Sequence, residues 1–111
     1  MNSRSKYHNR RIERDGQTFD SVKEYRRWNE LRIMERAGLI KDLKRQVQFE
    51  LIPSQKEDGK VVERAVVYKA DFAYMQDSKY IVEDTKGYKT QEYILKRKMM
   101  LYVHGIRVKE T

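Results

Sequence analysis

The stretch that decides the fold runs from Asp71 to Lys86 and reads DFAYMQDSKYIVEDTK. Aromatic and β-branched residues are frequent on both sides of Asp77-Ser78, which is a turn signal, so the stretch predicts a β-hairpin. A tight turn at these two residues places Asp71 directly opposite Asp84 on the neighbouring strand. The hairpin is therefore expected to bring two carboxylates together.

The neighbours of these two acids are apolar on both faces of the predicted hairpin, which indicates that both carboxylates are partly desolvated. Like charges directly opposite each other destabilise an antiparallel pair, and buried carboxylates are costly unless a proton or a cation neutralises them. Mg²⁺ takes oxygen ligands from one or two carboxylates. The pattern predicts a divalent-metal site, and the alternative is a pair of ordinary surface charges on an exposed hairpin.

Lys86 lies two residues after Asp84, so strand periodicity places both side chains on one face, about 7 Å apart along the strand. The same register sets Lys69 against Lys86. A lysine beside a metal site can polarise a water or stabilise charge on a phosphate, so the pattern indicates metal-assisted phosphodiester hydrolysis. Alternation places Glu83 on the opposite face and favours Asp84 as the ligand, although a bulge would reverse that choice.

Sequence signals around the hairpin predict two helices and further strands. Thr90 is expected to cap the second helix, and Gly38 and Gly105 to end the two helices. In chain order, the predicted elements are two short strands around Asp15-Gly16, a helix at 22–37, a strand around 47–51, a polar turn at 53–60, strands at 61–75 and 80–86, a helix at 91–103 and a strand at 106–108. This order predicts an α/β domain of the α+β style, with a mixed, mainly antiparallel sheet flanked by helices.

The chain has 111 residues, which suits one domain at 11–111 preceded by a basic arm at 1–10 whose composition is compatible with disorder. It has no cysteine, which excludes disulfides, zinc-thiolate sites and thiol catalysis and suits a reducing cytoplasm. No stretch is apolar for long enough to cross a membrane, and the N-terminal segment lacks the apolar run of a signal peptide.

A net charge of +8 favours a polyanionic partner, most simply nucleic acid, over a charged surface kept for solubility. Basic residues follow the predicted active-site strand, where Lys89, Lys96 and Arg97 are candidate phosphate contacts. Thr90, at a helix N-terminus, can offer its hydroxyl and backbone N–H groups to a phosphate. The alternative for each lysine is a solvated helix face. We therefore expect DNA contacts at Lys89, Thr90, Lys96 and Arg97.

Glu24 lies in the first turn of the first predicted helix and shares a face with Trp28 and Leu31, so we expect it to point inward. Two interpretations are open. In a capping box started by Ser21, Glu24 satisfies a backbone N–H group. If Asp20 is the N-cap instead, Glu24 is free to act as a metal ligand.

Gln46 lies on the polar side of the half-buried strand marked by Val47, Phe49 and Leu51. A glutamine at this position can orient a water or a carboxylate beside the metal. The alternative is that Gln46 is only part of the strand's solvent-facing side.

Asp71 followed by Asp84-Thr85-Lys86, with a preceding helix that carries Glu24, resembles the PD-(D/E)XK nuclease superfamily. The chain more closely resembles a family of small phage and prophage proteins. Parts of it are similar to the nuclease subunit of Tn7-type transposases, and its element order is similar to that of archaeal Holliday-junction resolvases. The stretches that carry the resemblance, from Phe19 to Val108, are Phe19-Asp20-Ser21-x-x-Glu24-Tyr25, Gly38-x-Ile40-x-x-Leu43-x-x-Gln46, Tyr68-x-Ala70-Asp71-Phe72, Glu83-Asp84-x-Lys86-Gly87 and Thr90.

The resemblance implies a restriction-endonuclease-like core in which Glu24, Asp71 and Asp84 bind Mg²⁺ or Mn²⁺ and Lys86 is the catalytic lysine. It implies a DNA endonuclease in phage DNA recombination, repair or processing, with branched DNA as one candidate substrate, in the cytoplasm of a bacterial host. Because two nearby cuts need two sites, we expect a homodimer. The sequence departs from the superfamily pattern twice, with Ala70 where proline is frequent and Asp84 where glutamate is common.

Two other functions fit the sequence. A non-catalytic nucleic-acid-binding module on a degenerate nuclease fold would bind DNA with strong salt dependence and cut nothing with any metal. A basic structural or interaction protein would carry its acids on the surface, and replacing Asp71 by alanine would change no activity.

Overall fold

A mixed four-stranded sheet with a helix on each face forms the centre of the fold. The computed structural model describes residues 11–111, so the predicted basic arm at 1–10 lies outside the described residues. The elements are β1 (Ile12–Arg14), β2 (Gln17–Phe19), α1 (Val22–Arg36), β3 (Lys41–Ile52), β4 (Gln55–Glu57), β5 (Lys60–Glu63), β6 (Val66–Gln76), β7 (Lys79–Asp84), α2 (Gln91–His104) and β8 (Lys109–Glu110).

The central sheet has the strand order β3-β6-β7-β8, in which only the β7–β8 pairing is parallel among the described strands. The strands β1 and β2 form a separate hairpin, as do β4 and β5. The predicted α+β class with a mixed, mainly antiparallel sheet is confirmed, and the predicted order of elements is matched roughly. Within residues 11–111, neither helix combines the length and the hydropathy that a membrane crossing requires.

The β6–β7 hairpin has the predicted register. Asp77 and Ser78 both have positive φ, 50° and 65°, which is the backbone of a two-residue hairpin turn that follows the twist of the strands. Pairing runs from Gln76 opposite Lys79 to Phe72 opposite Glu83. Asp71 and Asp84 therefore meet at the next position, at the open end of the hairpin. Because β7 ends at Asp84, the predicted strand to residue 86 is two residues too long, and Lys86 is not paired with Lys69.

The predicted strand at 61–75 is in fact divided. Asp58 and Gly59 adopt positive φ, 52° and 79°, and fold β5 back onto β4 as an exposed hairpin. Only residues from Val66 onward pair with β3 and enter the core. The last strand also differs from its prediction at 106–108, because Lys109 and Glu110, rather than the residues before them, pair with the end of β7.

The sheet separates two apolar clusters, and the change of side occurs at Asp71. Tyr68 and Ala70 pack with residues of α2, whereas Phe72 and Tyr74 pack with residues of α1. Alternate residues of a regular strand lie on one face, so the alternation of β6 changes phase between Ala70 and Phe72. On β3, Gln46 lies between the partners of these two residues and has a φ of 54°. Irregular backbone on both strands thus surrounds Asp71.

A buried ion pair fixes α1 to the sheet. Glu83 is fully buried, and Arg27 of α1 donates two hydrogen bonds to its carboxylate, one of them 3.0 Å from Nη2 to Oε1. The hydroxyl of Tyr74 donates to the same Oε1 at 2.6 Å. Burial, together with this hydrogen bond, raises the pKa of Tyr74 to about 12. As predicted, Glu83 lies on the face opposite Asp84, and its carboxylate is already satisfied there.

We expect Arg27→Met to lower the free energy of unfolding by about 3–5 kcal/mol, because it leaves the Glu83 charge buried without a cation. Adding Glu83→Gln to Arg27→Met removes that charge and should recover part of the loss. Urea denaturation of the single and double variants measures both steps. Further destabilisation by Glu83→Gln in the Arg27→Met background would contradict this account.

Candidate active site

Asp84 is the most deeply buried acid of the predicted site. It ends β7 with 1% of its surface exposed. Its Oδ1 accepts a hydrogen bond from the backbone N–H of Asp71 at 3.2 Å, and its Oδ2 accepts one from the hydroxyl of Tyr68. Burial, a hydrogen bond with the side chain of Asp71 and the charge of Asp71 raise the pKa of Asp84 to about 8. Tyr68 and Lys86 act in the opposite direction but do not cancel this rise.

Asp71 is half-buried and ties the end of β7 to β6. Its Oδ2 accepts hydrogen bonds from both the backbone N–H and the hydroxyl of Thr85, each at 2.8 Å. Each acid therefore bonds to the strand or loop that carries the other. The prediction that the hairpin brings Asp71 and Asp84 together is confirmed.

Glu24 is buried in the first turn of α1, as the helical pattern predicted, with 2% of its surface exposed. Ser21 is the N-cap and its Oγ accepts the backbone N–H of Glu24 at 3.1 Å, so the alternative with Asp20 as the N-cap is wrong. The Oε1 of Glu24 accepts the backbone N–H of Asp20 at 3.2 Å, one residue before the one a standard capping box would use. Burial, followed by the charge of Asp71, raises the pKa of Glu24.

The other oxygen of Glu24 binds two side chains of β3. Arg45 donates from Nη2 and Gln46 from Nε2, each at 3.1 Å from Oε2. Gln46 thus orients a carboxylate of the predicted site, which is one of its two predicted roles. Its positive φ costs about 1–3 kcal/mol for a residue other than glycine and turns its side chain away from the regular alternation of β3.

Lys86 lies in the loop after β7 and is half-buried. Its Nζ lies 4.8 Å from the centroid of the Tyr93 ring, in a cation–π contact with α2. A cavity of about 110 Å³ opens beside it, and Glu24 and Asp71 line the same cavity. The structure therefore brings Glu24, Asp71 and Lys86 to one cavity, with Asp84 bonded behind Asp71.

The predicted DNA-contact residues have partners within the chain. Lys89 and Arg97 both form ion pairs with Glu110, at 3.2 Å and 3.0 Å. A hydrogen bond from the hydroxyl of Tyr93, followed by those from Arg97 and Lys89, lowers the pKa of Glu110 to about 2. Two of the predicted phosphate contacts therefore share one carboxylate, which offsets only one of their two positive charges.

The other two predicted contacts lie at the start of α2. Lys96 pairs with Glu92 one turn earlier, at 3.1 Å. Thr90 is the N-cap of α2, as predicted, and its Oγ1 accepts the backbone N–H of Tyr93 at 3.0 Å.

Sequence reasoning missed the residues that stabilise the buried acids. Tyr68 bonds to Asp84, Arg45 to Glu24 and Arg27 to Glu83. The only signal for Arg45 is that it adjoins Gln46, and nothing in the sequence distinguishes Arg27 from the other arginines of α1. Tyr68 lies three residues before Asp71, inside a stretch that the resemblance already used.

The fit of these residues to a divalent cation can be judged from their chemistry and their contacts. Among the described residues, no group of three or more carboxylate or histidine side chains converges closely enough to hold a metal ion. The Asp71–Asp84 pair nevertheless fits one, because two carboxyl groups lie side by side and a cation could replace the proton that the raised pKa of Asp84 retains, and Mg²⁺ needs only one or two protein carboxylates. Glu24 lines the same cavity but already bonds to Arg45 and Gln46, so it fits a supporting position better than a primary one.

The raised pKa of Asp84 sets an expected pH dependence of stability. An unfolded aspartate titrates near pH 3.9. The folded protein binds the proton of Asp84 more tightly than the unfolded chain does. The stabilisation that this proton gives is therefore fully present below about pH 4 and is lost as the pH rises toward 8. We expect the free energy of unfolding of wild type, relative to Asp84→Asn, to fall between pH 5 and pH 8 by at least about 1.4 kcal/mol, the value of one pKa unit.

Urea denaturation in EDTA-containing buffer measures this difference across the pH range. Asp77→Asn, at the exposed tip of the same hairpin, is the matched control and should follow wild type at every pH. A pH-independent difference between wild type and Asp84→Asn would show that Asp84 is not a strained, buried acid.

Comparison with known proteins gives one family. Residues 4–109 match the family described as "Protein of unknown function (DUF1064)". Neither the curated proteins nor the solved structures contain a match to this chain. Because the match spans nearly the whole sequence, the chain belongs to the DUF1064 family.

Proposed function

We propose that this protein is a metal-dependent endonuclease that hydrolyses phosphodiester bonds in DNA. The observation that carries the proposal is the Asp71–Asp84 carboxyl pair, in which the half-buried Asp71 lines a cavity together with Lys86 and Glu24 and Asp84 lies buried behind it. Two carboxylates pressed together beside a lysine form an arrangement suited to a hard cation and a phosphate. The net charge of +8 supports a polyanionic substrate.

In this proposal, Asp71 and Asp84 hold Mg²⁺ or Mn²⁺. The bound cation supplies a Lewis acid for the scissile phosphate and lowers the pKa of the attacking water. Glu24 contributes negative charge and an acceptor to the same cavity, and Arg45 and Gln46 fix its position.

Lys86 supplies the positive charge of the site. Its ammonium group stabilises charge on the phosphate or orients the attacking water, since it lines the cavity together with Asp71. The contact of Lys86 with the Tyr93 ring already restricts its side chain, so less conformational entropy is lost when it binds a phosphate. The hydroxyl of Tyr68 holds Asp84 from the side away from Asp71.

The proposal agrees with the resemblance to the PD-(D/E)XK superfamily. Asp84 takes the position of the usual glutamate, and Glu83 is unsuited to that role because Arg27 and Tyr74 already bind it on the other face. We accordingly propose a restriction-endonuclease-like core and a role in phage DNA recombination, repair or processing, with branched DNA as one substrate. The site of action would be the cytoplasm of a bacterial host.

We also propose that the active form is a homodimer, because cutting two strands requires two sites. The last turns of α2 support this, since Leu101, Tyr102 and Val103 expose 52%, 90% and 44% of their surface. Size-exclusion chromatography with light scattering measures the oligomeric state of the free protein and of its DNA complex.

A non-catalytic nucleic-acid-binding module is the second candidate. It is favoured by one observation, the ion pair between Arg45 and Glu24, which occupies an oxygen that a nuclease of this type would turn toward a metal. Such a module would bind DNA without cutting it.

The test is cleavage of supercoiled, linear, flapped and four-way DNA in Mg²⁺, Mn²⁺ or EDTA. We expect wild type to cut at least one substrate with metal and none with EDTA. Asp71→Asn and Lys86→Ala each remove part of the electrostatic stabilisation of the transition state, so we expect each to lower the rate by about 100-fold or more.

Asp77→Asn and Lys79→Ala, at the tip of the same hairpin, are the matched controls and should cut like wild type. Addition of Mg²⁺ should raise the melting temperature of wild type and not that of Asp71→Asn, since only a protein that binds the cation is stabilised by it. If wild type binds DNA and cuts no substrate with either metal, the non-catalytic module is the correct function.

A further inference from the structure

A second and larger cavity lies on the other side of Lys86, between the sheet and α2. Its volume is about 440 Å³, which is within the range of small organic ligands and too large for an ion alone. We call it the basic groove, and its polar lining consists of Gln48, Lys69, Lys86, Thr90, Glu92 and Lys96.

The charge of the basic groove is only partly neutralised within the chain. Three lysines face one glutamate, and Glu92 pairs with Lys96 alone. Over residues 11–111, neither Lys69 nor Lys86 forms an ion pair with a carboxylate, although both line the groove. On the neighbouring surface, Lys89 and Arg97 share Glu110, which leaves one positive charge there. The basic groove therefore keeps two positive charges, those of Lys69 and Lys86, for an external anion.

Lys86 joins the basic groove to the acid cavity, because it lines both. An anion that extends from one cavity to the other must be elongated and carry more than one negative charge. A nucleic-acid strand meets this requirement through its successive phosphates. The hydroxyl of Thr90 accepts the N–H of Tyr93 and keeps its own hydrogen for donation, and Gln48 can also donate, so the groove offers neutral contacts as well.

We propose that the basic groove binds the backbone of a nucleic-acid strand, with Lys69 and Lys96 contacting the phosphates next to the one at Lys86. The position of the scissile phosphate at Lys86 rests on the proposed nuclease function, whereas binding in the groove does not require cleavage. Glu92 competes with the phosphate for Lys96 and limits the affinity. The proposal therefore adds Lys69 to the predicted phosphate contacts and gives Lys96 its place in the basic groove.

The test is fluorescence anisotropy of labelled single-stranded DNA, duplex DNA and single-stranded RNA of one sequence, in EDTA buffer over a range of salt. Each phosphate contact contributes about 0.7–0.9 to the slope of log K against log salt. We expect the double variant Lys69→Gln/Lys96→Gln to lower the slope of wild type by about 1.4–1.8. Glu92→Gln should tighten binding, because it releases Lys96.

The control is Lys60→Gln/Lys79→Gln, which removes the same charge from the β4–β5 hairpin and from the tip of the β6–β7 hairpin. It should keep the wild-type slope. An equal loss in both double variants would show that only bulk charge matters and would overturn the groove assignment, as would the absence of binding to all three probes by wild type.

The outcomes separate the groove from the nuclease function. If the groove variant lowers the salt slope and wild type cuts no DNA, the groove assignment is supported and the nuclease function is excluded. If the groove variant cuts DNA with the KM and the salt slope of wild type, the groove assignment is excluded and the nuclease function is supported. Binding to RNA alone supports the groove and excludes DNA as the substrate.

Discussion

The structure depends on one electrostatic constraint, the placement of Asp71 and Asp84 against each other at the open end of a hairpin. The two-residue turn at Asp77-Ser78 fixes the register, and that register places the two acids opposite each other. Hydrogen bonds partly offset their repulsion: Tyr68 donates to Asp84, and Thr85 donates to Asp71. These bonds hold the carboxyl groups in place but add no positive charge, so the pKa of Asp84 stays raised.

Comparison of the three buried acids shows what distinguishes this pair. Glu24 and Glu83 are each matched by an arginine, Arg45 and Arg27, at hydrogen-bonding distance. Among the described residues, Asp84 forms no ion pair with an arginine or a lysine: its carboxyl group accepts the backbone N–H of Asp71 and the hydroxyl of Tyr68, and Lys86 acts on it only from a distance. A chain that neutralises two buried carboxylates with arginine has the means to neutralise a third. Asp84, whose pKa is raised to about 8, is instead neutralised by a proton at neutral pH, and an external cation that replaced this proton would meet the same need.

The sequence predicts what depends on local spacing and fails where distant residues select each other. The hairpin register, the inward direction of Glu24 and the capping of α2 by Thr90 follow from turn chemistry and helical periodicity, and the structure confirms them. Pairing of Arg45 with Glu24 spans 21 residues, and no periodicity favours it over another arginine. The ion pairs of Lys89 and Arg97 with Glu110 were missed for the same reason, since they require β8 to lie beside β7.

Lys86 marks the boundary between two opposite electrostatic environments, the acid cavity and the basic groove. A phosphate strand in the groove would be repelled by the negative charge of the Asp71–Asp84 pair, which grows as Asp84 loses its proton near pH 8. A divalent cation at the acid pair would remove that repulsion, and the strand would in turn supply further oxygens near the cation. Binding of the cation and binding of the strand should therefore strengthen each other by the same factor, as linkage requires of two ligands bound at adjacent sites of one protein.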